Sequence, residues 1–159
     1  MSLKDLIKKK QAIVGIIGLG YVGLPLAILI KKQGFKVFGF DKDKKKINNI
    51  KNGISPILDI NKKSIKVLKK NDLYSLKEIN KINQCDLIII CLPTPLTKNN
   101  NPDMSYLKTC LKQISKHLKK NQALILESTV YPGATNEIFS KTLIEKFSLG
   151  KNFFLGYSP

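Results

Sequence analysis

Three glycines with the spacing Gly-x-Gly-x-x-Gly follow an apolar, β-branched run near the amino terminus. Gly18, Gly20 and Gly23 come directly after residues 13–17, which have the composition of a buried strand. Glycine at the first position allows a tight turn, at the second it lets the backbone approach a phosphate, and at the third it lets a helix lie close to the strand. The helix then directs its unpaired amides and the positive end of its dipole at an anion. This spacing predicts a binding site for the diphosphate of a dinucleotide.

An acidic residue ends the next predicted strand. Asp41 follows the apolar segment 36–40 and comes 18 residues after Gly23. A carboxylate at this place accepts hydrogen bonds from the hydroxyls of an adenosine ribose and repels a 2′-phosphate, so the expected cofactor is NAD rather than NADP. Lysines at positions 42, 44, 45 and 46 weaken that preference, because a nearby cation can tolerate an additional phosphate.

A second loop places a hydroxyl group beyond another predicted strand. Thr94 stands between Pro93 and Pro95, which hold it in an extended conformation after strand 86–92. A rigid hydroxyl there could contact the cofactor. A plain proline-stiffened turn explains the same residues equally well, and the local sequence leaves both interpretations open.

A third loop carries three consecutive polar residues at the end of strand 123–127. These are Glu127, Ser128 and Thr129, and the next predicted helix begins at Pro132-Gly133. One polar side chain is enough to cap a helix, so three exceed what a cap needs. Because ligands of parallel sheets bind outside the carboxyl ends of the strands, these side chains are expected to face the same ligand as the glycine turn.

Strands and helices alternate along the rest of the chain. Strands are predicted at 13–17, 36–40, 72–76, 86–92, 123–127 and 152–156, and helices at 22–30, 44–52, 65–70, 105–118 and 133–147, with Asn61 as the cap of the third helix. This alternation requires a parallel sheet with right-handed crossovers and helices on both faces. The prediction is therefore an α/β, doubly wound parallel sheet, a Rossmann fold, in a single domain spanning residues 1–159.

Composition fits one domain with an unusually basic surface. The chain has 159 residues, of which 43% are hydrophobic, and a net charge of +17. All 28 basic residues are lysines and they are spread over the whole chain, so the bidentate arginine contacts preferred for bases and phosphates are absent. A solvated lysine surface is favoured over a specific nucleic-acid interface. Weak, salt-sensitive binding of polyanions stays open as an alternative.

Cysteine usage and hydropathy indicate the cellular location. Cys85, Cys91 and Cys110 have neither a metal-site spacing nor a disulfide pattern, and they are predicted to be small buried side chains in reduced form. No apolar run approaches the length of a membrane span, and the lysine-rich amino terminus is not a signal peptide. A cytoplasmic protein without a membrane partner is expected.

Taken together, these motifs resemble the N-terminal, NAD-binding domain of the UDP-glucose/GDP-mannose dehydrogenase family. The resemblance extends over nearly the whole chain and is carried by residues 18–25, 92–95, 102–103, 127–133 and 156–159. Glutamate before Ser-Thr-Val-Tyr-Pro-Gly is more similar to the branch that oxidises UDP-N-acetylhexosamines than to the UDP-glucose branch. The family carries out two successive NAD-dependent oxidations at the sugar C6 alcohol and yields a uronic acid for surface polysaccharides.

The resemblance also implies roles for individual residues. Thr129 would approach the nicotinamide and the reacting carbon and help to hold a water, while Glu127 and Ser128 support that corner of the site. Lys46 matches a basic residue near the adenosine. The residues implied to bind NAD are Gly18, Gly20, Tyr21, Val22, Gly23, Asp41, Lys46, Thr94, Ser128 and Thr129.

Other parts of the family pattern have no counterpart in these residues. The catalytic glutamate after Tyr-Ser-Pro, the central helix, the lysine and asparagine pair, the nucleophilic cysteine and the UDP-binding C-terminal domain are not found here. We therefore expect the N-terminal part of a longer, homodimeric enzyme with a UDP-sugar substrate, and expect these 159 residues to bind NAD without turnover. The alternative is a stand-alone module that senses NAD and regulates a partner.

Overall fold

The computed structural model describes residues 1–97 and 100–158. Pro159, which ends the last motif named above, lies outside these ranges. Six strands are found in the described part of the chain: β1 Ile13–Ile17, β2 Lys36–Asp41, β3 Leu73–Ser75, β4 Leu87–Ile90, β5 Gln122–Leu126 and β6 Phe153–Tyr157. They form one parallel sheet in the order β3-β2-β1-β4-β5-β6.

The connections between the strands are mostly helical. The helices are α1 Leu3–Lys8, α2 Gly23–Lys32, α3 Lys44–Lys51, α4 Lys62–Ile65, α5 Ser105–Ile114 and α6 Lys141–Leu143. Segments Lys70–Asp72 and Leu76–Gln84 are 3₁₀-helical, and Thr135–Ser140 is a π-helix that leads into α6.

Apolar side chains cover both faces of the sheet. One core cluster joins the sheet to α2 and α3 and includes Val14, Ile16, Leu24, Ile28, Val37, Ile47, Ile50 and Ile89. The other joins it to α5 and the π-helix and includes Ile17, Phe38, Phe40, Ile88, Ile90, Leu107, Leu111, Ile114, Leu124 and Phe139. Adjacent residues of a strand point to opposite faces, so strands covered on both sides are apolar throughout. The doubly wound fold is confirmed.

Several helix boundaries differ from the sequence-based expectation. The helix expected at 65–70 is instead α4, because Asn61 caps the segment that directly follows it, with its side-chain oxygen accepting from the Ser64 amide at 2.8 Å. The helix expected at 105–118 ends at Ile114. The one expected at 133–147 is divided between the π-helix and α6.

The short helix α1 was not anticipated. Ser2 and Asp5 form a capping box in which the Asp5 amide donates to the Ser2 hydroxyl at 3.2 Å and the Ser2 amide donates to the Asp5 carboxylate at 3.1 Å. The hydrogen bonds also lower the pKa of Asp5 from its ordinary value. The Ser-x-x-Asp pattern is the sequence signal for this helix.

None of the described helices combines the length and the apolar composition needed to cross a membrane.

Strand register brings the predicted site residues to one edge. Ile17 of β1 is aligned with Phe40 of β2 and with Ile90 of β4. Ile90 is in turn aligned with Leu126 of β5. The residues that immediately follow these four therefore emerge side by side at the carboxyl edge. There the connection after β1 leads through α2 to β2, whereas the connection after β4 leads through α5 to β5 on the opposite side, and a crevice opens between them.

Candidate cofactor-binding site

A cleft of about 820 Å³ lies at this carboxyl edge. It brings together ten of the eleven residues proposed for the site from the sequence, namely Gly18, Gly20, Tyr21, Val22, Asp41, Lys46, Thr94, Glu127, Ser128 and Thr129. Gly23 is buried behind the glycine turn and does not line the cleft. The cleft is of the size expected for a cofactor site.

Gly18 occupies a backbone conformation that requires glycine. Its φ is +93°, and a Cβ there would lie 2.5 Å from the carbonyl oxygen of Cys91. The Gly18 amide donates to the Phe40 carbonyl at 2.8 Å, which ties the turn to the end of β2. The turn is thereby fixed between the loops that follow β2 and β4.

The other two glycines serve different purposes. A Cβ at Gly23 would lie 1.8 Å from the Gly18 carbonyl oxygen, so glycine there lets α2 pack directly against the turn. Among the residues that the structure describes, a Cβ at Gly20 would meet no atom within 4 Å other than those of its chain neighbours. Gly20 lines the cleft, so the space kept free beside its backbone is space available to a ligand.

The amino terminus of α2 has no side-chain partner within the described ranges. Val22 is its N-cap and makes no capping hydrogen bond, and the first turn holds no acidic residue. The helix has ten residues, and its first amides and the positive end of its dipole lie behind the glycine turn. This is the environment that binds a phosphate group.

Asp41 is 5% exposed, and three donors from the described part of the chain hold its carboxylate. Its Oδ2 accepts from the Leu19 amide at 2.9 Å and from Lys46 Nζ at 2.8 Å, and its Oδ1 accepts from the Asp43 amide at 2.9 Å. A carboxylate offers about four acceptor positions, so one stays available for a ribose hydroxyl. Lys46 thus lies against Asp41 at the cleft, and it partly balances the charge of that carboxylate.

Hydroxyl groups join the two loops on the other side of the cleft. Thr94 Oγ1 donates to the Thr129 carbonyl at 2.5 Å. The buried Ser128 hydroxyl donates to the Leu92 carbonyl at 2.7 Å. Both loops are fixed relative to each other, which leaves the exposed Thr129 side chain at the cleft surface.

The three thiols are poor nucleophiles. Cys85, Cys91 and Cys110 are buried and free of disulfides, in agreement with the sequence analysis. Burial raises the pKa of each thiol to about 12, and the neighbouring Glu127 charge adds to the effect at Cys91. At neutral pH these thiols are therefore almost entirely protonated, and the thiolate is the nucleophilic form.

Sequence reasoning missed the contribution of α5, and it named Lys42 only as one of several cations near Asp41. Tyr106, Thr109 and Gln113 line the cleft from one face of α5, and Lys42 lines it directly after Asp41. The available signal was the spacing of three and four residues between positions 106, 109 and 113, because residues so spaced share a helix face. A polar stripe of this kind cannot be distinguished by sequence from an ordinary solvent-facing surface.

The arrangement is suited to an extended ligand with a diphosphate at its centre. The glycine turn and the α2 amino terminus can hold the diphosphate, and the remaining acceptor position of Asp41 can bind a sugar hydroxyl on one side. Polar groups line the other side of the cleft: the Thr94 hydroxyl, the exposed Thr129 hydroxyl and the Glu127 carboxylate. These residues fit a dinucleotide.

Comparison with a family model gives the same assignment. The model of the UDP-glucose/GDP-mannose dehydrogenase family, NAD binding domain, matches residues 12–159. UDP-N-acetyl-D-glucosamine 6-dehydrogenase of Pseudomonas aeruginosa is 38% identical over 153 residues, covering 94% of this chain and 35% of that protein. UDP-N-acetyl-D-mannosamine dehydrogenase of Methanococcus aeolicus is 33% identical over 164 residues, covering 100% of this chain and 36% of that protein.

Solved structures show the same likeness. GDP-mannose dehydrogenase from Pseudomonas aeruginosa, solved as a ternary complex, superposes with a TM-score of 0.82 at 27% identity over 92% of this chain and 35% of the other. UDP-D-ManNAc dehydrogenase from Pyrococcus horikoshii gives a TM-score of 0.82 at 28% identity over 92% of this chain and 36% of the other. The chain spans about a third of the length of these relatives.

Proposed function

Because the chain belongs to the UDP-glucose/GDP-mannose dehydrogenase family as its NAD-binding domain, we propose that it holds NAD for a nucleotide-sugar 6-dehydrogenase acting on a UDP-N-acetylhexosamine. The observation that carries this proposal is the cleft. Its glycine turn leaves open space beside Gly20, and the α2 amino terminus behind that turn is capped by no described side chain.

The chain's own residues bind and orient in this proposal. The amides around Gly18, Gly20 and Tyr21 hold the diphosphate, with Val22 at the helix start and Gly23 allowing the close approach of α2. Asp41 accepts from the adenosine ribose, and Lys46 keeps its carboxylate in place. NAD, when bound, supplies the acceptor for a hydride.

The far side of the cleft is proposed to face the reacting sugar. Thr129 holds a water with its exposed hydroxyl, and Thr94 fixes the Thr129 backbone through their hydrogen bond. Ser128 positions the same loop through its hydrogen bond to the Leu92 carbonyl, and the Glu127 side chain lines the cleft next to that loop. These contacts support a rigid corner next to the nicotinamide.

The proposal also covers the substrate, cellular location and oligomeric state of the longer protein. The names of the relatives above favour a UDP-N-acetylhexosamine, whose C6 alcohol would be oxidised to a uronic acid for surface polysaccharide. We place the chain as a single NAD-binding domain of a cytoplasmic protein that is homodimeric at full length. The proposed substrate of that full-length protein is a UDP-sugar, and we propose no specific nucleic-acid partner.

Calorimetric titration of the 159-residue chain with NAD tests the binding role. We expect one site whose affinity persists when salt is raised from about 0.05 M to about 0.5 M, because enclosed contacts are screened less than surface lysines. A DNA oligonucleotide titrated in parallel should lose its affinity over this range. Absence of heat with NAD, or loss of NAD binding in step with the oligonucleotide, would refute the assignment and favour the lysine surface.

Turnover of a nucleotide sugar to its uronic acid by this chain alone is expected to be absent. Oxidation of an aldehyde to an acid with NAD needs a thiolate that forms a hemithioacetal, from which hydride can leave, and then hydrolysis of a thioester. The three thiols of this chain are buried with the pKa of each near 12. Incubation with NAD and UDP-N-acetylglucosamine should therefore yield no uronic acid, and formation of the uronic acid together with NADH would contradict the proposal.

A further inference from the structure

A lysine and a tyrosine meet across the cleft at its Asp41 end. Lys42 Nζ lies 4.4 Å from the centre of the Tyr106 ring, and both residues line the cleft. Lys42 directly follows β2, whereas Tyr106 is in the first turn of α5 after β4. Since β2 and β4 flank β1 on opposite sides, this contact bridges the crevice at the point where the connections diverge.

The face of the Tyr106 ring is accessible to a ligand. The residue is 39% exposed, and the group over its face is a lysine ammonium on a flexible chain. An ammonium on an exposed ring is a weak contact that is easily exchanged. Leu76, at the start of the 3₁₀ segment that follows β3, adds an apolar side chain to the lining of the same cleft.

Adenine needs this kind of surface. The base is attached to the ribose that Asp41 is proposed to bind, so it must lie near the residues that surround Asp41. It is flat and uncharged, and stacking of a base on an aromatic ring is stronger than an exposed cation–π contact. A base can therefore displace the Lys42 ammonium from the ring.

We infer that Tyr106 is the platform on which the adenine of the cofactor stacks, and that Lys42 moves off the ring face when the base arrives. This inference rests on the proposed NAD-binding role of the cleft. Tyr106 is then a determinant of affinity for the adenosine half of the cofactor. It also gives α5 a contact with NAD, which the contacts proposed above do not include.

The test compares ADP and NAD as calorimetric ligands of the 159-residue chain and its variants. Tyr106→Leu should weaken both ligands by the same factor, about tenfold, because only the shared adenosine half is affected. Tyr106→Phe keeps the ring and should stay within about twofold of the wild type. Phe154→Leu is the matched control, because Phe154 is also 39% exposed but lies on β6 beside α1, away from the cleft.

A fluorescence measurement on the wild type guards against a folding defect in the variant. The fluorescence of 1,N6-ethenoadenosine diphosphate should change on binding to the wild type and to Tyr106→Phe when its base stacks on the ring. Three results would each overturn the inference while leaving NAD binding intact. They are unchanged fluorescence of the bound nucleotide, a Tyr106→Leu variant with the wild-type affinity, and the same loss of affinity in Tyr106→Phe as in Tyr106→Leu. A wild type that binds neither ADP nor NAD would overturn the proposed function as well.

Discussion

Gly20→Ala is expected to weaken NAD binding about 100-fold while the fold stays intact. A methyl group at Gly20 meets no atom of residues 1–97 and 100–158 within 4 Å beyond its chain neighbours, so the stability of the fold should change little. The same methyl group occupies cleft space next to the proposed diphosphate and forces it away from the turn. Losing one or two charge-assisted hydrogen bonds, each of about 1.5 to 3 kcal/mol, accounts for a 100-fold effect, which is about 2.7 kcal/mol.

Calorimetry gives the affinity of this variant and thermal unfolding monitors its fold. Gly156→Ala is the matched control, because its Cβ would make an ordinary contact of 3.4 Å with Ile125 Cγ1 on β5 and it does not line the cleft. The control should bind NAD like the wild type. If Gly20→Ala binds NAD within threefold of the wild type, the diphosphate does not lie against this turn.

Gly23→Ala is expected to destabilise the fold by about 3 kcal/mol or more. Its Cβ would lie 1.8 Å from the Gly18 carbonyl oxygen and 3.1 Å from Cys91 Cβ. The first of these is a backbone atom held by the sheet, so relief requires α2 to move away from β1. The core contacts that Leu24, Ala27 and Ile28 make from α2 would loosen with it.

Urea denaturation measures this change in the free energy of unfolding. A typical domain is stabilised by about 5 to 15 kcal/mol, so a loss of this size is about a third of a mid-range value of about 10 kcal/mol. Gly20→Ala, three residues earlier in the same turn, controls for the effect of an added methyl group alone. A loss below about 1 kcal/mol in Gly23→Ala would show that α2 does not depend on this close approach.

The sheet and the first half of the site were predictable because they depend on local rules. Apolar runs covered on both faces identify interior parallel strands, and a glycine such as Gly18 is the residue that a φ of +93° favours. Asp41 was found from its distance along the chain to the glycine turn. Once the strands are in register, the ends of β1, β2, β4 and β5 must meet at one edge.

The rest depends on contacts between distant segments, which sequence patterns do not encode. The hydroxyl of Ser128 could face either a ligand or a neighbouring loop, and only the fold shows that it donates to the Leu92 carbonyl. Tyr106 and Lys42 are 64 residues apart, and their contact depends on the crossing of α5 over the cleft. The π-helix after Gly133 likewise follows no propensity rule applied to the sequence.

A crystal structure of this chain grown with NAD tests the central claim most directly. The account predicts the diphosphate against the amides of residues 18–23, with the adenosine ribose on the Asp41 carboxylate and the nicotinamide on the side of Thr129. Electron density for NAD at any other place, or a cleft without density at saturating NAD, would contradict it.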